Sequence, residues 1–286
     1  MGLIMSLKEN KDIKVAYSGV EGAFASIAAG RIFPGAKQVP FRSFGEAYDA
    51  VKCGDCDYAV LPIENSYAGE VGHVMDMIFE GDLFIRAIYS LPVSQNLLGV
   101  KGTTKDKIKK VVSHPQALEQ CYKYLQSHGY EPVQATNTAQ AAKQVADVGD
   151  MSIAAIASVE TAALYGLDIL EHDINESSNN TTKFAVLERE MSEQITDPAK
   201  KDVYVLMFTI PNIPGALSQI LTNLGIFGYN MRVIRSRPLK GKKWTYYFYT
   251  EAEGDETSIG RAMLEGLGRN CEMVKVLGHY TEVEEL

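Results

Sequence analysis

The hydrophobic positions between residues 13 and 190 switch repeatedly between two spacings. Short apolar runs such as 13–17 and 57–62 are typical of buried strands, and the segments after them carry the 3.6-residue spacing of helices. Strands that alternate with helices of about 10–15 residues indicate parallel sheets with helices on both faces. The pattern therefore predicts an α/β region with strands near 13–17, 37–41, 57–62, 83–90, 111–114, 132–136, 152–157 and 183–189, and with helices near 24–33, after Ser43, and near 70–80, 115–127, 138–148 and 158–166.

The pattern changes after a polar stretch at 192–202, which contains a proline, has no apolar periodicity and predicts a linker. Beyond it, the order strand, helix, strand, strand, helix, strand is that of a split ferredoxin-like domain. We therefore expect one region at 11–191 and a second at 202–286. The elements predicted in the second region are strands near 203–210, 232–237, 244–250 and 271–278 and helices after Pro214-Gly215 and near 257–268.

Composition and charge exclude several classes of protein. A net charge of −8 with scattered Lys and Arg residues argues against a nucleic-acid groove, which needs clustered positive charge. No apolar run approaches the length of about 18 residues that a membrane span requires. The 4 cysteines are too few for a disulfide framework, and Cys53-x-x-Cys56 provides half of a zinc site. We therefore expect a cytoplasmic protein without a metal, a membrane or a nucleic acid as partner.

Polar side chains follow the strands in four segments, 19–25, 61–72, 113–121 and 177–184. Ligands of parallel α/β sheets bind at the carboxyl ends of strands, where these segments are expected to gather. Glu64, Asn65 and Ser66 offer a carboxylate, an amide and a hydroxyl, which suit an anionic or polyhydroxylated ligand. The alternative is that Asn65 and Ser66 only cap the next helix.

The segment 113–121 also carries hydrogen-bonding groups. Ser113 and His114 leave a strand, and Gln116 and Gln120 share one face of the helix that follows. Adjacent Ser and His do not form a hydrolase triad, and the sequence has no G-x-S-x-G, G-x-G-x-x-G or Walker A motif and no metal-ligand spacing. A cofactor-free reaction or simple ligand binding remains.

Taken together and in this order, these segments resemble the prephenate dehydratase family. The matching strings are AYSGVEGAF (16–24), LPIENSYAGEV (61–71), SHPQALEQC (113–121) and NNTTKF (179–184). The C-terminal region resembles an ACT domain through PNIPGALSQIL (211–221) and IRSRP (234–238). The resemblance implies a catalytic domain with two lobes, like a periplasmic binding protein, followed by a ferredoxin-like ACT domain. Lobe 1 would comprise about 11–91 and 180–191, lobe 2 about 92–179, with the active site in the cleft.

The implied reaction converts prephenate to phenylpyruvate with loss of CO2 and water, without a cofactor. The ACT domain implies feedback inhibition by L-phenylalanine and a homodimer or homotetramer. Two alternatives stay open: an arogenate dehydratase acting on the amino-acid analogue, and a non-catalytic two-lobed regulator that binds amino acids.

The resemblance also implies roles for individual residues. Thr182 would meet the departing hydroxyl, and Glu64 is the rival proton donor if burial keeps it protonated. Lys183 and the helix-start amides after Ser66 and His114 are expected to make the cleft positive. The residues expected to bind substrate are Asn65, Ser66, Ser113, His114, Gln116, Gln120, Lys183 and Phe184. Those expected to bind L-phenylalanine are Asn212, Gly215, Ala216, Leu217, Asn230 and Ser236.

The sequence departs from the family pattern at four places. Lys183 replaces the usual arginine, which would grip a carboxylate with two hydrogen bonds rather than one point charge. Ala23 replaces a threonine, Gln95-Asn96 falls where a histidine is common, and Arg235 replaces a glutamate in the ACT segment. These changes are expected to affect substrate binding and phenylalanine affinity.

Overall fold

The computed structural model describes residues 12–177, 179–191, 202–254, 257–280 and 284–286. The chain divides into two compact units. The first holds the residues up to Met75, Ser90–Phe184 and the last two residues, and the second holds Asp76–Tyr89 and Ala185–Glu284. Apart from Asp202, the predicted linker at 192–202 lies outside the described residues.

The elements up to residue 191 follow the predicted alternation of strands and helices. A short 3-10 helix spans Lys105–Lys107. In chain order the others are β1 (Lys14–Ser18), α1 (Phe24–Ile32), β2 (Lys37–Phe41), α2 (Phe44–Lys52), β3 (Tyr58–Asn65), β4 (Gly69–Glu70), α3 (Gly72–Glu80), β5 (Phe84–Pro92), β6 (Asn96–Gly99), β7 (Lys110–Ser113), α4 (Pro115–Gln120), α5 (Tyr122–His128), β8 (Glu131–Gln134), α6 (Thr138–Val148), β9 (Ile153–Ala157), α7 (Val159–Tyr165), β10 (Asp168–Glu171) and β11 (Thr181–Glu188).

The elements after residue 201 complete the chain. They are β12 (Asp202–Thr209), α8 (Ala216–Ile226), β13 (Asn230–Pro238), β14 (Tyr246–Gly254), α9 (Thr257–Gly268), β15 (Met273–Tyr280) and β16 (Glu284–Glu285).

Two sheets form the two lobes of the region before residue 192. In the first sheet β1 runs parallel to β2 and β3, and the order is β2-β1-β3-β11-β5, with β16 beyond β5. The second sheet has the order β10-β6-β9-β7-β8, in which β7 runs parallel to both β8 and β9. The chain passes to the second sheet after β5 and returns at β11. The predicted α/β fold with two lobes is therefore confirmed.

The second lobe differs from the prediction in two ways. Strands β6 and β10 were not predicted, and each pairs antiparallel with its neighbour, so this sheet is mixed rather than parallel. With 4 residues each, they are too short to show a clear hydrophobic period. The helix predicted over 115–127 is broken at the buried residue Cys121. There the carbonyl of Gln120 accepts from the backbone N–H of Glu176 at 2.9 Å, outside the helical pattern.

The sheet of the second unit has the order β13-β14-β12-β15, and all its pairings are antiparallel. With α8 and α9 it forms the predicted βαββαβ arrangement, which is confirmed. The core packs strand residues Leu206 and Phe208 against Ile220 of α8 and Met263 of α9. Strand β14 begins at Tyr246 rather than the predicted 244 because Trp244 adopts a positive φ of 57° in the preceding turn and is 79% exposed.

Candidate active site

A cavity of about 280 Å³ lies between the two lobes of the first unit. Most of its walls come from the loops at the carboxyl ends of parallel strands, as expected for an open α/β sheet. Asn65 ends β3, His114 directly follows β7, and Asn137 lies shortly after β8. The lining residues are Ala23, Phe24, Phe44, Asn65, Val93, Gln95, His114, Gln116, Ala117, Gln120, Asn137, Thr138, Asn180 and Thr182.

Asn65 is at the centre of the hydrogen bonds in this cavity. Its Oδ1 accepts from the backbone N–H groups of Tyr67 at 3.0 Å and Ala68 at 2.9 Å. Because backbone N–H groups can only donate, these bonds fix which end of the amide is oxygen. The Nδ2 of Asn65 therefore donates, and it reaches Oγ1 of Thr182 at 3.0 Å and Oδ1 of Asn180 at 2.9 Å.

The fixed orientation of Asn65 also determines the orientation of the buried amide side chains that follow it in a chain of hydrogen bonds. Nδ2 of Asn180 donates to Oε1 of Gln120 at 3.0 Å, and Nε2 of Gln95 faces the same Oε1 at 3.5 Å. We call Asn65, Asn180, Gln120 and Gln95 the amide relay; each of these side chains is 9% exposed or less. The relay is neutral, so it shapes the cavity without adding charge.

His114 and Gln116 come from the second lobe and also line the cavity. The Nδ1 of His114 accepts from the backbone N–H of Gln116 at 3.2 Å and so caps α4. Burial lowers the pKa of His114, which favours the neutral ring with its proton on Nε2. The Nε2 of Gln116 donates to Oδ1 of Asn65 at 3.3 Å and connects the lobes.

Five of the residues expected to act in the cleft do not line the cavity. Ser66 joins the ends of β3 and β11, since its hydroxyl accepts from the N–H of Thr181 at 2.9 Å. Ser113 is fully buried and donates to the carbonyl of Ile156 at 2.7 Å. Phe184 is a core residue, and Glu64 and Lys183 form an ion pair at 3.1 Å.

Strand alternation explains where this ion pair lies. Neighbouring side chains of a strand point to opposite faces, so Glu64 faces away from Asn65 and Lys183 faces away from Thr182. The expected helix start after Ser66 is also absent, because α3 begins at Gly72 and the amides of Tyr67 and Ala68 bind Asn65. Neither Lys183 nor these amides supply positive charge to the cavity.

The cavity instead has neutral walls and helix amino ends. Among the described residues that line it, His114 alone has a titratable side chain. Helices α1, α2 and α6 each begin at a lining residue, which brings the positive ends of their dipoles to the cavity. Ser43 caps α2 and Asn137 caps α6, whereas Ala23 gives α1 no side-chain cap. The first amides of α1 are therefore the best placed to receive an anionic group.

The sequence did not single out several lining residues. Asn137 carries a signal that could have found it, since its spacing to Gln140 is that of a helix cap and the bond is 2.7 Å. Asn180 lies inside the NNTTKF string, and Ala23 and Gln95 were noted only as departures from the family. Phe24, Phe44, Val93, Ala117 and Thr138 offered no chemical signal.

The second unit contains another cavity, of about 440 Å³, beside the start of α8. Asn212, Ala216 and Leu217 line it, and Gly215 turns the chain into the helix with a φ of +84°. Asn230 and Ser236 are exposed residues of β13 that do not line it. Three of the six residues expected to bind L-phenylalanine thus share one cavity.

A charged cluster also lies in the second unit. The buried carboxylate of Asp76 accepts from Nε of Arg237 at 2.9 Å and from the hydroxyl of Tyr247 at 2.8 Å, and Nζ of Lys240 lies 3.2 Å away. Burial would raise the pKa of Asp76, but these partners outweigh it and hold the pKa at about 2. We call these four residues the Asp76 cluster.

Within the described residues, no group of three or more His, Cys, Asp or Glu side chains could hold a metal ion. No described helix is long and apolar enough to cross a membrane. All 4 cysteines are free, including Cys53 and Cys56.

A cleft between two lobes, with neutral donors and helix amino ends on its walls, has the chemistry that suits a small anionic molecule. The chain belongs to the prephenate dehydratase family, whose model matches residues 15–192. A prephenate dehydratase of Lactococcus lactis is 34% identical over 278 residues, which cover 94% of this chain and 98% of that protein. Arogenate dehydratase/prephenate dehydratase 1 of Arabidopsis thaliana is 34% identical over 287 residues, 95% of this chain and 73% of that protein.

A solved structure extends the similarity to the fold. It is a prephenate dehydratase from Arthrobacter aurescens in complex with L-Phe, with a TM-score of 0.85 and 28% identity, covering 94% of this chain and 90% of that one.

Proposed function

We propose that this enzyme converts prephenate to phenylpyruvate, CO2 and water in the cavity between its two lobes. The observation that carries the proposal is the hydroxyl of Thr182, which lines the cavity and is oriented by Asn65. The Lactococcus lactis relative, similar over almost its whole length, bears the name of this activity.

The reaction sets a clear task for the protein. As the ring carboxylate leaves as CO2, its bonding electrons enter the ring and expel the C4 hydroxyl, and the ring becomes aromatic. The departing hydroxide takes up one proton from the solvent and leaves as water. The enzyme must therefore hold a dianion and stabilise negative charge on the departing oxygen.

Thr182 is suited to stabilise that charge. Its Oγ1 already accepts from Asn65, so its own proton is available to a ligand in the cavity. A threonine hydroxyl is a weak acid, and we assign it a hydrogen bond that strengthens as the C–O bond breaks. Glu64 is paired with Lys183 on the other face of the strands, so we assign that pair a supporting role.

Neutral groups would hold the dianion. We assign one carboxylate to the uncapped amides of α1 after Ala23, where the helix dipole adds attraction. The Nε2–H of neutral His114 is a further donor from the second lobe. Lining the site with amides rather than lysines would also let the product anion leave readily.

We further propose that L-phenylalanine inhibits the enzyme through the cavity at Asn212, Ala216 and Leu217, with Gly215, Asn230 and Ser236 supporting it. The Arthrobacter aurescens structure, described as a complex with L-Phe, supports this assignment. We also propose that the protein is cytoplasmic, since its 4 free cysteines fit a reducing compartment. The resemblance to an ACT domain supports a homodimer or homotetramer.

The test is phenylpyruvate formation by purified protein, followed by absorbance in alkali, on prephenate and on arogenate. We expect a higher kcat/KM on prephenate and a lower rate in millimolar L-phenylalanine. A higher kcat/KM on arogenate would assign the alternative substrate, since the Arabidopsis thaliana relative bears both names. No turnover of either by folded protein would favour a non-catalytic regulator that binds amino acids.

A further inference from the structure

Gln95 carries the one buried side-chain atom of the amide relay that has no hydrogen-bond partner among the described residues. The side chain is 3% exposed and lines the cavity, and its Oε1 has no hydrogen-bond partner among the residues that the structure describes. The backbone is fixed on both sides, since its N–H donates to Oδ1 of Asn175 at 3.1 Å and its carbonyl accepts from the N–H of Ile174 at 2.8 Å. The unpartnered oxygen therefore belongs to a residue whose backbone position is fixed by two hydrogen bonds.

The orientation of this amide follows from the rest of the relay. Backbone donors fix Asn65, Asn65 donates to Asn180, and Asn180 donates to Gln120. Oε1 of Gln120 is thus turned toward Gln95, which can meet it only with its Nε2. The reverse orientation would place two carbonyl oxygens against each other. Oε1 of Gln95 is consequently an acceptor whose donor must come from elsewhere.

A buried acceptor without a donor destabilises the ligand-free protein, so we expect a bound ligand to supply the missing donor. Of the groups on a prephenate dianion, two carboxylates and a ketone can only accept hydrogen bonds. The C4 hydroxyl is its single donor. This is the group that departs as water, so an acceptor here can hold its O–H while Thr182 donates to its oxygen.

We propose that Oε1 of Gln95 accepts a hydrogen bond from the C4 hydroxyl of the substrate and holds it through its departure as water. Thr182 would donate to the same oxygen, so the two side chains would bind the leaving group from its acceptor and donor sides. This inference rests on the proposed function and names a further catalytic residue for the reaction. By holding the O–H, Gln95 turns a lone pair of the oxygen toward the hydroxyl of Thr182. Because the bond from Thr182 strengthens as the C–O bond breaks, loss of this orientation lowers kcat more than it raises KM.

Gln95→Met tests the proposal, because methionine fills a similar volume and replaces the amide oxygen with a thioether sulfur, which is only a weak acceptor. We expect kcat to fall about tenfold on prephenate, with KM changed less than about twofold. The melting temperature of the ligand-free protein should stay equal or rise, since the unpartnered oxygen is gone. Gln134→Met, at an exposed glutamine outside the cavity, is the matched control and should leave kcat and melting temperature unchanged.

Each result decides between specific alternatives. A lower melting temperature, or failure to fold, would mean that Gln95 serves the packing of the relay, and it would overturn the proposal. Equal fold losses on prephenate and arogenate support it, because both carry the C4 hydroxyl. A loss confined to arogenate would show that Gln95 binds an ammonium group instead. An unchanged kcat with active wild-type enzyme overturns this inference alone, whereas inactive wild-type enzyme overturns the proposed function as well.

Discussion

Two buried polar clusters, one in each unit, differ in their charge and in how completely their polar groups are hydrogen-bonded. The amide relay of Asn65, Asn180, Gln120 and Gln95 is neutral, and Oε1 of Gln95, at the cavity, has no hydrogen-bond partner within the described part of the chain. The Asp76 cluster is charged, and Arg237, Tyr247 and Lys240 all contact its single carboxylate. A cluster that only supports the fold can satisfy all its groups, whereas a cluster that binds a ligand keeps some of them for that ligand. This contrast predicts that changes in the relay affect catalysis and that changes at Asp76 affect stability.

The largest expected effect comes from placing a charge in the relay. Asn65→Asp keeps the size of the side chain but removes the donor that orients Thr182 and Asn180. We expect kcat on prephenate to fall by about 10²–10³-fold, the cost of losing a key donor in an active site. Steady-state assays check the rate, and circular dichroism checks that the variant folds. A kcat within twofold of wild type would contradict the assigned role of Asn65.

The converse change, Asp76→Asn, removes the charge from the other cluster. Arg237 then loses its buried counter-ion, so the free energy of unfolding should fall by about 3 kcal/mol in urea titrations. The pKa of Asp76 is held at about 2, below its ordinary 3.8, so its stabilisation is present above the ordinary value and is lost as pH falls toward 2.

The difference in stability between Asp76→Asn and wild type should therefore shrink over that pH range. Asp147→Asn, at an exposed position, is the control and should change stability by less than about 0.5 kcal/mol. If both variants were equally stable, the Asp76 cluster would not support the fold as described.

An intermediate effect is expected at the amino end of α1. Ala23→Asp supplies the missing cap and should stabilise the protein by about 1 kcal/mol, but its carboxylate competes with the anionic substrate. We expect KM to rise about tenfold while the melting temperature rises. Ala23→Asn supplies a cap without charge and should raise KM much less. Equal KM values for the two variants would show that no substrate carboxylate binds at this helix.

The smallest effect should come from protonation of His114. Its neutral ring accepts from the N–H of Gln116, and burial lowers its pKa, so the unfolded state binds more protons just below the ordinary value of 6.5. Stability should decrease as pH falls below that value, up to the cost of a lost helix cap, about 1 kcal/mol. His114→Asn keeps a cap that does not titrate and should weaken this pH dependence. The same slope in both proteins would exclude His114 as its cause.

The same contrast shows what the sequence could and could not predict. Hydrophobic spacing predicted the main strands and helices, and the strings around Asn65, His114 and Thr182 predicted five lining residues. Period-two alternation along β11 could already have placed Lys183 away from Thr182, had it been applied to residues 181–184.

Other features depend on contacts between distant segments. At the helix break near Cys121, the backbone N–H of Glu176 donates to the carbonyl of Gln120, although the two residues are 56 positions apart in the sequence. The free oxygen of Gln95 follows only from the orientation of three other amides. No local pattern of hydrophobic and polar residues records such contacts.

The most direct measurement of the central claim is kcat for phenylpyruvate formation by wild type and Thr182→Val. Valine keeps the shape of the side chain and removes the hydroxyl that Asn65 orients toward the cavity. If this hydroxyl stabilises the departing group, kcat should fall by about 10²-fold or more while KM stays within about threefold. An unchanged kcat in a folded variant would contradict the placement of the reaction at Thr182.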